Sequence, residues 1–372
     1  MNALLVLRPD ASSRFGGDAA LARGMAKALS GLGVSAHVVE SAQPDARGYD
    51  VAHVFGVFEP DIAAGQIKAC RAGGAAIALS PIWLDLTEVQ GVAREFERVL
   101  RRARTRARAI RALERLRATD PERQLPRRER VARSRRTRLQ ADLLRAADAL
   151  IPNGAIEARE CAVKLGAHDV PFVIARIPPA RAAFAWAAAR DGVLCVGRIE
   201  TRKNQALLAL ALREDPIDLE CVGEPYDERY AALCERWAGR RTRFPGRLDD
   251  EAVKRRFERA AVHALVSWGE TAGMASLEAA LAGAQLVVGD RGAELEYFGV
   301  DAEYADPSDP DSIRAAIFRA LQRPARAPDD ALDRRVRRLT WRLAAERTLR
   351  AYGVALERHA KANASLQPSP KQ

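Results

Sequence analysis

The sequence predicts an α/β protein with two Rossmann-like domains, and three observations lead to this prediction. Short apolar strands alternate with amphipathic helices near the start of the chain, and the same cycle restarts at Gly192. The length of 372 residues exceeds that of an ordinary single domain. A hydrophobic share of 48% is enough for two buried cores and excludes the disordered and fibrous classes.

The apolar segment at residues 3–7 is typical of a strand buried on both faces of a parallel sheet. Asp18 is placed to cap the helix that follows, and Gly31 and Gly33 end it. The second half repeats this plan. We therefore predict strands at 3–7, 34–39, 51–57, 75–79, 193–196, 217–222, 261–266 and 285–288, and helices at 18–30, 205–212, 274–282, 312–321 and 341–356.

Residues 92–150 interrupt the α/β pattern with two basic helices. Apolar residues recur every three or four positions from Phe96 to Leu116, Thr119-Asp120-Pro121 interrupts the helix, and a second helix starts near Arg127. Between Arg94 and Arg138 there are 18 Arg and six acidic residues, which accounts for the whole net charge of +11. We place this helical pair on the first domain.

These patterns predict four segments. The sequence Ile177-Pro178-Pro179 marks the linker between the two domains. We predict a first domain at 1–178 that carries the basic pair at 92–150, a second domain at 179–340, a terminal helix at 341–360 that packs back toward the first domain, and a disordered tail at 361–372.

The five cysteines are widely spaced, with neither a C-x-x-C pair nor a histidine at metal-binding spacing. We expect reduced thiols in the core. The apolar start of the chain is too short for a signal peptide, and no apolar run is long enough to span a membrane. We therefore expect a cytoplasmic protein, with the inner face of the membrane as a further possible location.

A nicotinamide-dependent dehydrogenase is disfavoured. Glu40 at the end of the second strand has the position of a ribose-binding acid, but no G-x-G-x-x-G follows either first strand. Glu40 is then a polar strand end.

Two cations follow the first strand of the second domain. Arg198 and Lys203 lie five positions apart in Gly197-Arg198-Ile199-Glu200-Thr201-Arg202-Lys203-Asn204, beyond the carboxyl end of that strand, where open α/β sheets bind ligands. A guanidinium and an ammonium together suit a diphosphate. Two solvated loop charges are the alternative.

A second polar segment follows a later apolar strand and opens a helix. Glu270 precedes this helix, Glu278 lies inside it, and Gly273 allows the backbone to approach an anion. Free N–H groups of the first turn can hold phosphate without a metal, and carboxylates accept hydrogen bonds from sugar hydroxyls. The combination indicates a nucleotide-sugar site.

These motifs resemble those of the group 1 retaining glycosyltransferases, which have the two-domain GT-B fold. The resemblance rests on Gly-Arg-x4-Lys, on Glu-x7-Glu and on Glu-Ala-x-x-Ala-Gly at residue 278. Supporting pieces are residues 244–248, which match the family's base-contacting loop, residues 304–309, Trp341, and the glycine pair at 16–17. The resemblance implies two Rossmann-like domains that face a central cleft.

The resemblance also implies roles for particular residues. Arg198 and Lys203 would bind the diphosphate, Glu270 the hydroxyls of the donor sugar and Glu278 the ribose. Such enzymes need no metal ion and no cofactor besides the nucleoside-diphosphate-sugar donor. The other donor contacts it implies are the backbone of Gly273, Met274 and Ala275, the glycine loop of Gly16 and Gly17, and Leu248 against the base.

On the acceptor side the sequence departs from the family pattern. His53 in Asp50-Val51-Ala52-His53 is a candidate, although a histidine beside a strand is also a common structural residue. Asp85 would orient the acceptor or cap a turn. The junction motif Pro-Asn-Gly-Val-Asp is reduced to Arg176-Ile177-Pro178-Pro179.

The resemblance implies a retaining, hexosyltransferase-like enzyme that acts on a glycan or lipid-linked acceptor in cell-surface polysaccharide, lipopolysaccharide or glycolipid synthesis. Residues 94–138 would then be a solvated face or a contact with an anionic membrane. Nucleic-acid binding through the same segment is a rival, disfavoured because Phe96 is its sole aromatic residue. A catalytically inactive homologue is the other alternative.

Overall fold

The computed structural model describes residues 1–13, 16–117, 127–181 and 183–366, with the backbone alone at residue 127. The chain forms two compact units. Unit 1 comprises Met1–Trp83, Val131–Ala180 and Leu339–Gln372, and unit 2 comprises Leu84–Arg130 and Arg181–Arg338. Each unit contains a parallel sheet, so the predicted α/β class is confirmed.

Unit 1 is built on a five-stranded sheet with the order β2-β1-β3-β4-β5, in which all neighbours are parallel. Its central strands are buried along their whole length, as expected for continuously apolar segments. The strands are β1 (Asn2–Leu7), β2 (Ser35–Glu40), β3 (Val51–Phe55), β4 (Ala76–Ser80) and β5 (Ala149–Leu150).

The last helix of the chain packs on the first one in unit 1. The indole of Trp341 lies so close to Gly24 that a Cβ at that position would be 2.2 Å from its Cη2 atom. This contact brings the C-terminal segment to the N-terminal sheet. The helices of unit 1 are α1 (Gly17–Ser30), α2 (Pro60–Ala72), α5 (Arg127–Ala146, which starts in unit 2), α6 (Ala155–Leu165) and α14 (Trp341–Leu366).

Unit 2 is built on a six-stranded parallel sheet with the order β11-β10-β9-β6-β7-β8. Pro245 lies in β8, where an edge strand tolerates the missing N–H group. The strands are β6 (Asp191–Val196), β7 (Leu219–Val222), β8 (Thr242–Gly246), β9 (Ala260–Leu265), β10 (Gln285–Gly289) and β11 (Glu303–Ala305).

The helices of unit 2 come from two parts of the chain. Two of them precede the sheet in sequence, five alternate with its strands, and the last two follow its final strand. They are α3 (Arg94–Arg102), α4 (Arg106–Arg117), α7 (Gln205–Leu212), α8 (Glu228–Trp237), α9 (Asp250–Arg259), α10 (Met274–Leu281), α11 (Glu294–Phe298), α12 (Pro310–Gln322) and α13 (Ala331–Arg337).

The placement of the basic helices differs from the prediction. Residues 84–130 belong to unit 2, because Phe96, Leu100, Ala109 and Leu113 are buried in the core cluster of that unit. The helical pair on the first domain is therefore wrong for α3 and α4. Helical periodicity shows which face is buried but not which core receives it. The predicted break at Thr119-Asp120-Pro121 lies outside the described residues.

The structure confirms the prediction for the cysteines and contradicts part of the prediction for the C-terminal tail. The five cysteines are free and buried, as predicted. The predicted disordered tail is wrong for residues 361–366, which continue α14, and the rest of the tail lies outside the described residues.

We predict that Gly24→Ala destabilises unit 1, because the new methyl group would overlap the Trp341 indole. The free energy of unfolding in urea should fall by roughly 1–3 kcal/mol. Gly353→Ala is a matched control in α14, since its Cβ meets no atom within 4 Å. It should stabilise the helix by about 0.5–1 kcal/mol. Equal effects of the two substitutions would contradict the contact.

Candidate functional site

The candidate site lies where the strand order of unit 2 reverses direction. The chain runs outward from β6 through β7 to β8, and then returns to β9 on the other side of β6. Loops that leave the carboxyl ends of β6 and β9 therefore diverge and leave a crevice, the usual ligand position in open α/β sheets. Both polar segments identified in the sequence occupy these two loops.

The loop after β6 is held to its neighbours by Asn204. This residue has a left-handed backbone with φ of 66° and begins α7. Its Nδ2 atom donates hydrogen bonds to the carbonyl oxygens of Val266 at 3.1 Å and Pro307 at 2.7 Å. One buried amide thereby ties together the loops that follow β6, β9 and β11.

The loop after β9 ends at Gly273, which starts α10. Its φ of 61° favours glycine, and this conformation turns the chain into the helix. In the first turn, the N–H groups of Met274 and Ala275 have no intrahelical acceptor, whereas that of Ser276 donates to the Gly273 carbonyl. The end of α10 thus has donors and positive dipole charge for an anion.

Glu270 is the buried centre of the site, with 6% of its surface exposed. Its Oε1 atom accepts hydrogen bonds from Lys203 Nζ at 2.5 Å and Arg202 Nη1 at 3.0 Å. Burial would raise the pKa of this carboxyl, but the charges of Arg202 and Lys203 lower it to about 2. Glu270 is therefore an anion held between two cations.

Arg202 is a site residue that sequence reasoning missed. Besides Glu270, its guanidinium donates to the Gly269 carbonyl at 2.9 Å and to Glu200 Oε1 at 2.9 Å. Its own carbonyl accepts from the Trp268 N–H group at 2.9 Å. Arg202 thus links the loops after β6 and β9. The sequence shows that Arg202 is next to Lys203, but it does not show that the Arg202 side chain points toward Glu270.

Glu278, predicted to bind ribose, is engaged by Arg181 in this structure. The Arg181 backbone N–H group donates to Oε1 at 3.1 Å, and Nη1 lies 3.0 Å from both carboxylate oxygens. Burial raises the pKa of Glu278 to about 7 against the opposing effect of Arg181. Sequence reasoning also missed Arg181.

Arg198 and Leu248 both lie in loops that follow the carboxyl ends of strands in unit 2. The Arg198 guanidinium is 5.1 Å from the centroid of the Tyr226 ring, in cation–π geometry, and its Nη2 is 3.4 Å from Glu200 Oε1. Arg198 is half-exposed, and the Tyr226 ring orients its guanidinium. Sequence reasoning did not select Tyr226. Leu248 is half-buried in the loop after β8, two strands from β6.

Glu294 is a second buried carboxyl beside Glu270. Only 1% of its surface is exposed, and neither carboxyl oxygen has a hydrogen-bond partner within the described residues. Burial, and then the negative charge of Glu270, raise the pKa of Glu294 well above its ordinary value. Burial and the neighbouring Glu270 anion therefore both favour the protonated form of Glu294.

In unit 1, Gly16 and Gly17 begin α1, which follows β1 next to the point where the strand order reverses. Gly16 occupies the N-cap position, and Asp18 pairs with Arg8 at 3.0 Å, so the predicted capping role of Asp18 is wrong.

Glu40 accepts hydrogen bonds from the Ser12 N–H group at 2.9 Å and from Arg23 at 2.7 Å. Glu40 is thus a structural strand end.

His53 does not have the position expected of an acceptor-side residue. It is 1% exposed, and its ring nitrogens lie 3.0 Å from Tyr352 Oη and 2.9 Å from Ser80 Oγ. Burial lowers its pKa to about 3. The structure gives His53 the structural role that was the alternative, and it joins β3 to β4 and α14.

Asp85 caps a turn. Its Oδ1 accepts hydrogen bonds from the backbone N–H and the hydroxyl of Thr87. This geometry matches the second of the two roles considered for Asp85.

Within the described residues, no cluster of three or more His, Cys, Asp or Glu side chains has the geometry to hold a metal ion. Among the helices of those residues, none is both long and apolar enough to cross a membrane.

Solved structures share this fold across almost the whole chain. Sucrose-phosphate synthase from Thermosynechococcus elongatus is similar with a TM-score of 0.63 and 16% identity, covering 98% of this chain and 99% of that one. HepE from Anabaena, solved with UDP and glucose, has a TM-score of 0.60 and 14% identity, covering 98% and 100%. The lipopolysaccharide outer core galactosyltransferase WaaB has a TM-score of 0.60 and 13% identity, covering 94% and 99%.

The two parallel sheets and these similarities define the GT-B class of fold. Residues 190–323, which contain the candidate site, match the family model of "Glycosyl transferases group 1". The resemblance indicated by the sequence motifs is thereby confirmed for this part of the chain. No curated protein matches the sequence.

We predict that the pairing of Glu270 makes stability depend on pH. Its pKa is about 2 in the folded chain and about 4.5 ordinarily, so its ionised form stabilises the fold above about pH 5 by roughly 3 kcal/mol. This contribution is lost as the pH falls toward 2. The stability gap between the natural chain and Glu270→Gln, measured by urea unfolding, should narrow from pH 6 to pH 3. A gap that is independent of pH would contradict the assignment.

Proposed function

We propose that this protein is a retaining glycosyltransferase that transfers a sugar from a nucleoside-diphosphate-sugar to a hydroxyl group, without a metal ion. The observation that carries the proposal is the contact between Lys203 and Glu270 at the crevice between β6 and β9, with Arg198 on the loop that holds Lys203 and Glu278 on the helix that follows Glu270. Cations for a diphosphate and buried carboxylates for hydroxyls lie there within the segment that matches the family.

Each residue has a role that its surroundings support. Arg198 and Lys203 bind the diphosphate, and the first turn of α10 supplies backbone N–H groups. Glu270 accepts hydrogen bonds from the donor sugar, and Glu278 accepts them from the ribose. Lys203 can turn from Glu270 to phosphate because Arg202 remains on the carboxylate.

The proposed reaction is a same-face substitution at the anomeric carbon. The bond from that carbon to the phosphate oxygen breaks, and its electron pair leaves with the diphosphate. The acceptor oxygen bonds to the same face, and its proton passes to the departing phosphate. Arg198, Lys203 and the positive end of α10 stabilise the charge that develops on the leaving group.

The proposed acceptor is a glycan or a lipid-linked sugar in cell-surface polysaccharide, lipopolysaccharide or glycolipid synthesis. WaaB is named as a lipopolysaccharide galactosyltransferase, and HepE was solved with UDP-glucose. These similarities support a UDP-sugar as the first donor to test. A place on the inner face of the cytoplasmic membrane would give access to a lipid-linked acceptor.

We predict that one nucleoside diphosphate raises the melting temperature, because a ligand that binds the native state stabilises it. UDP, GDP and ADP, with CMP for comparison, are tested without and then with Mg²⁺. Lys203→Ala should weaken binding by at least about tenfold, through the loss of a charge-assisted contact. Lys68→Ala, which removes an exposed lysine on α2, is the control.

The result separates the proposal from its rivals. Binding without Mg²⁺ that is lost in Lys203→Ala, together with release of nucleoside diphosphate from the matching sugar nucleotide, supports a transferase. Binding without turnover toward any acceptor would favour an inactive homologue. Absence of binding by all nucleotides would refute the site.

A membrane contact is proposed for α4. Arg108, Arg111 and Arg115 are exposed on the face opposite Ala109 and Leu113, which are buried. The other arginines of this helix form ion pairs, Arg106 with Asp311 and Arg117 with Asp306 and Asp309. The three exposed guanidinium groups are therefore the ones that an anionic lipid surface would meet.

We predict that the triple variant Arg108→Ala, Arg111→Ala, Arg115→Ala loses affinity for vesicles that contain anionic lipid. The expected loss is roughly 3 kcal/mol, at about 1 kcal/mol for each arginine near the surface. A triple variant of exposed arginines elsewhere in unit 2, Arg229→Ala, Arg240→Ala, Arg255→Ala, is the charge-matched control. Sedimentation with vesicles measures both, and equal losses would contradict a specific face.

A further inference from the structure

Arg181 makes a set of contacts with Glu278 that the proposed donor site does not require. It contributes two donor groups to this buried carboxylate, the backbone N–H and the Nη1 of its guanidinium. The Glu278 side chain is 7% exposed and that of Arg181 is 28% exposed. Arg181 therefore covers the carboxylate from the solvent side.

The hydrogen-bonding capacity of Glu278 is nearly filled by this arrangement. The ionised form of Glu278, which prevails above its pKa of about 7, offers two acceptor positions on each oxygen. Oε1 accepts both the backbone N–H at 3.1 Å and Nη1 at 3.0 Å, while Oε2 accepts Nη1 at 3.0 Å. One position is left on Oε2. The two hydroxyls of a ribose need two acceptor positions, so they cannot both bind while Nη1 stays in place.

We propose that the Arg181 guanidinium competes with the ribose for Glu278, so that donor binding must displace it. This inference rests on the proposed role of Glu278 in nucleotide binding. The competition lowers the affinity for every ligand that carries the two ribose hydroxyls, and it does not act on a ligand that lacks them. Arg181 is thus a residue that sets affinity through Glu278.

The displaced guanidinium has a second acceptor within reach. Its Nη2 atom already donates to Asp250 Oδ1 at 2.5 Å, and the Asp250 side chain is 88% exposed. Asp250 is the first residue of α9, so the anion is stabilised by that helix terminus. A rotation of the Arg181 side chain toward Asp250 would free Glu278 and keep the guanidinium paired.

The test measures binding by calorimetry, with UDP or whichever nucleoside diphosphate stabilises the protein most, and with its 2′,3′-dideoxy analogue. Arg181→Ala should tighten the ribose ligand about tenfold and change the dideoxy ligand by less than about twofold. Asp250→Asn should weaken the ribose ligand, because the displaced guanidinium loses an anionic acceptor. Arg241→Ala removes an exposed arginine paired with Asp218 and should change neither ligand.

Each outcome has one interpretation. Weaker binding of the ribose ligand in Arg181→Ala, or equal changes for both ligands, would overturn the competition and make Arg181 a donor-binding residue. If Arg181→Ala does not fold, Arg181→Lys replaces it, since an ammonium lacks the planar fork of guanidinium donors and should give an intermediate gain.

The proposed function is checked separately. If no nucleoside diphosphate binds the natural chain, the proposed function fails and the competition fails with it. If binding occurs but does not weaken in Glu278→Gln, the transferase proposal stands and the competition at Glu278 is refuted.

Discussion

The buried carboxylate of Glu270 is the constraint on which the rest of unit 2 depends. A buried anion is costly unless it is paired, and here it meets Arg202 and Lys203 at hydrogen-bond distance. Both cations belong to the loop after β6, whereas Glu270 belongs to the loop after β9. The ion pairs therefore hold the two loops together across the crevice. In the proposed donor complex, Lys203 binds phosphate while Arg202 stays on the carboxylate and keeps Glu270 ionised.

The loops after β6 and β9 also contact the arginine-rich helix α3. Phe96 packs edge-on against Trp268, with ring centroids 5.6 Å apart, and Trp268 precedes the site by two residues. The hydroxyl of Thr201 donates to Glu97 on the same helix. A segment that looks like a basic surface insertion in the sequence thus contributes to the core beside the loops after β6 and β9. Its arginines face outward because its apolar side is used there.

Local sequence was sufficient to predict the elements and the chemistry of the loops, and insufficient for long-range partners. The apolar strands and the helix at Met274 are visible in the sequence, because periodicity and glycine positions are local signals. The partners of Glu278 and His53 are not, since Arg181 is 97 residues from Glu278 and Tyr352 is 299 residues from His53. His53 was selected from a motif that specifies a strand end, while the hydrogen bonds that make it structural come from α14. The inward turn of Arg202 likewise depends on the approach of another loop.

Two of the many arginines contact the C-terminal end of α10, the helix whose N-terminus lies at the crevice. At its other end, Arg326 donates to the carbonyls of Ala280 at 2.8 Å and Ala284 at 2.9 Å, and Arg190 donates to that of Ala282. Both guanidinium groups lie over the Trp186 ring, at 5.5 and 5.8 Å. Positive charge at the C-terminus of a helix complements its dipole. Arg326 and Arg190 thus add donors and positive charge at the carbonyls that end α10 or follow it, and so they stabilise the helix at the end opposite to Gly273.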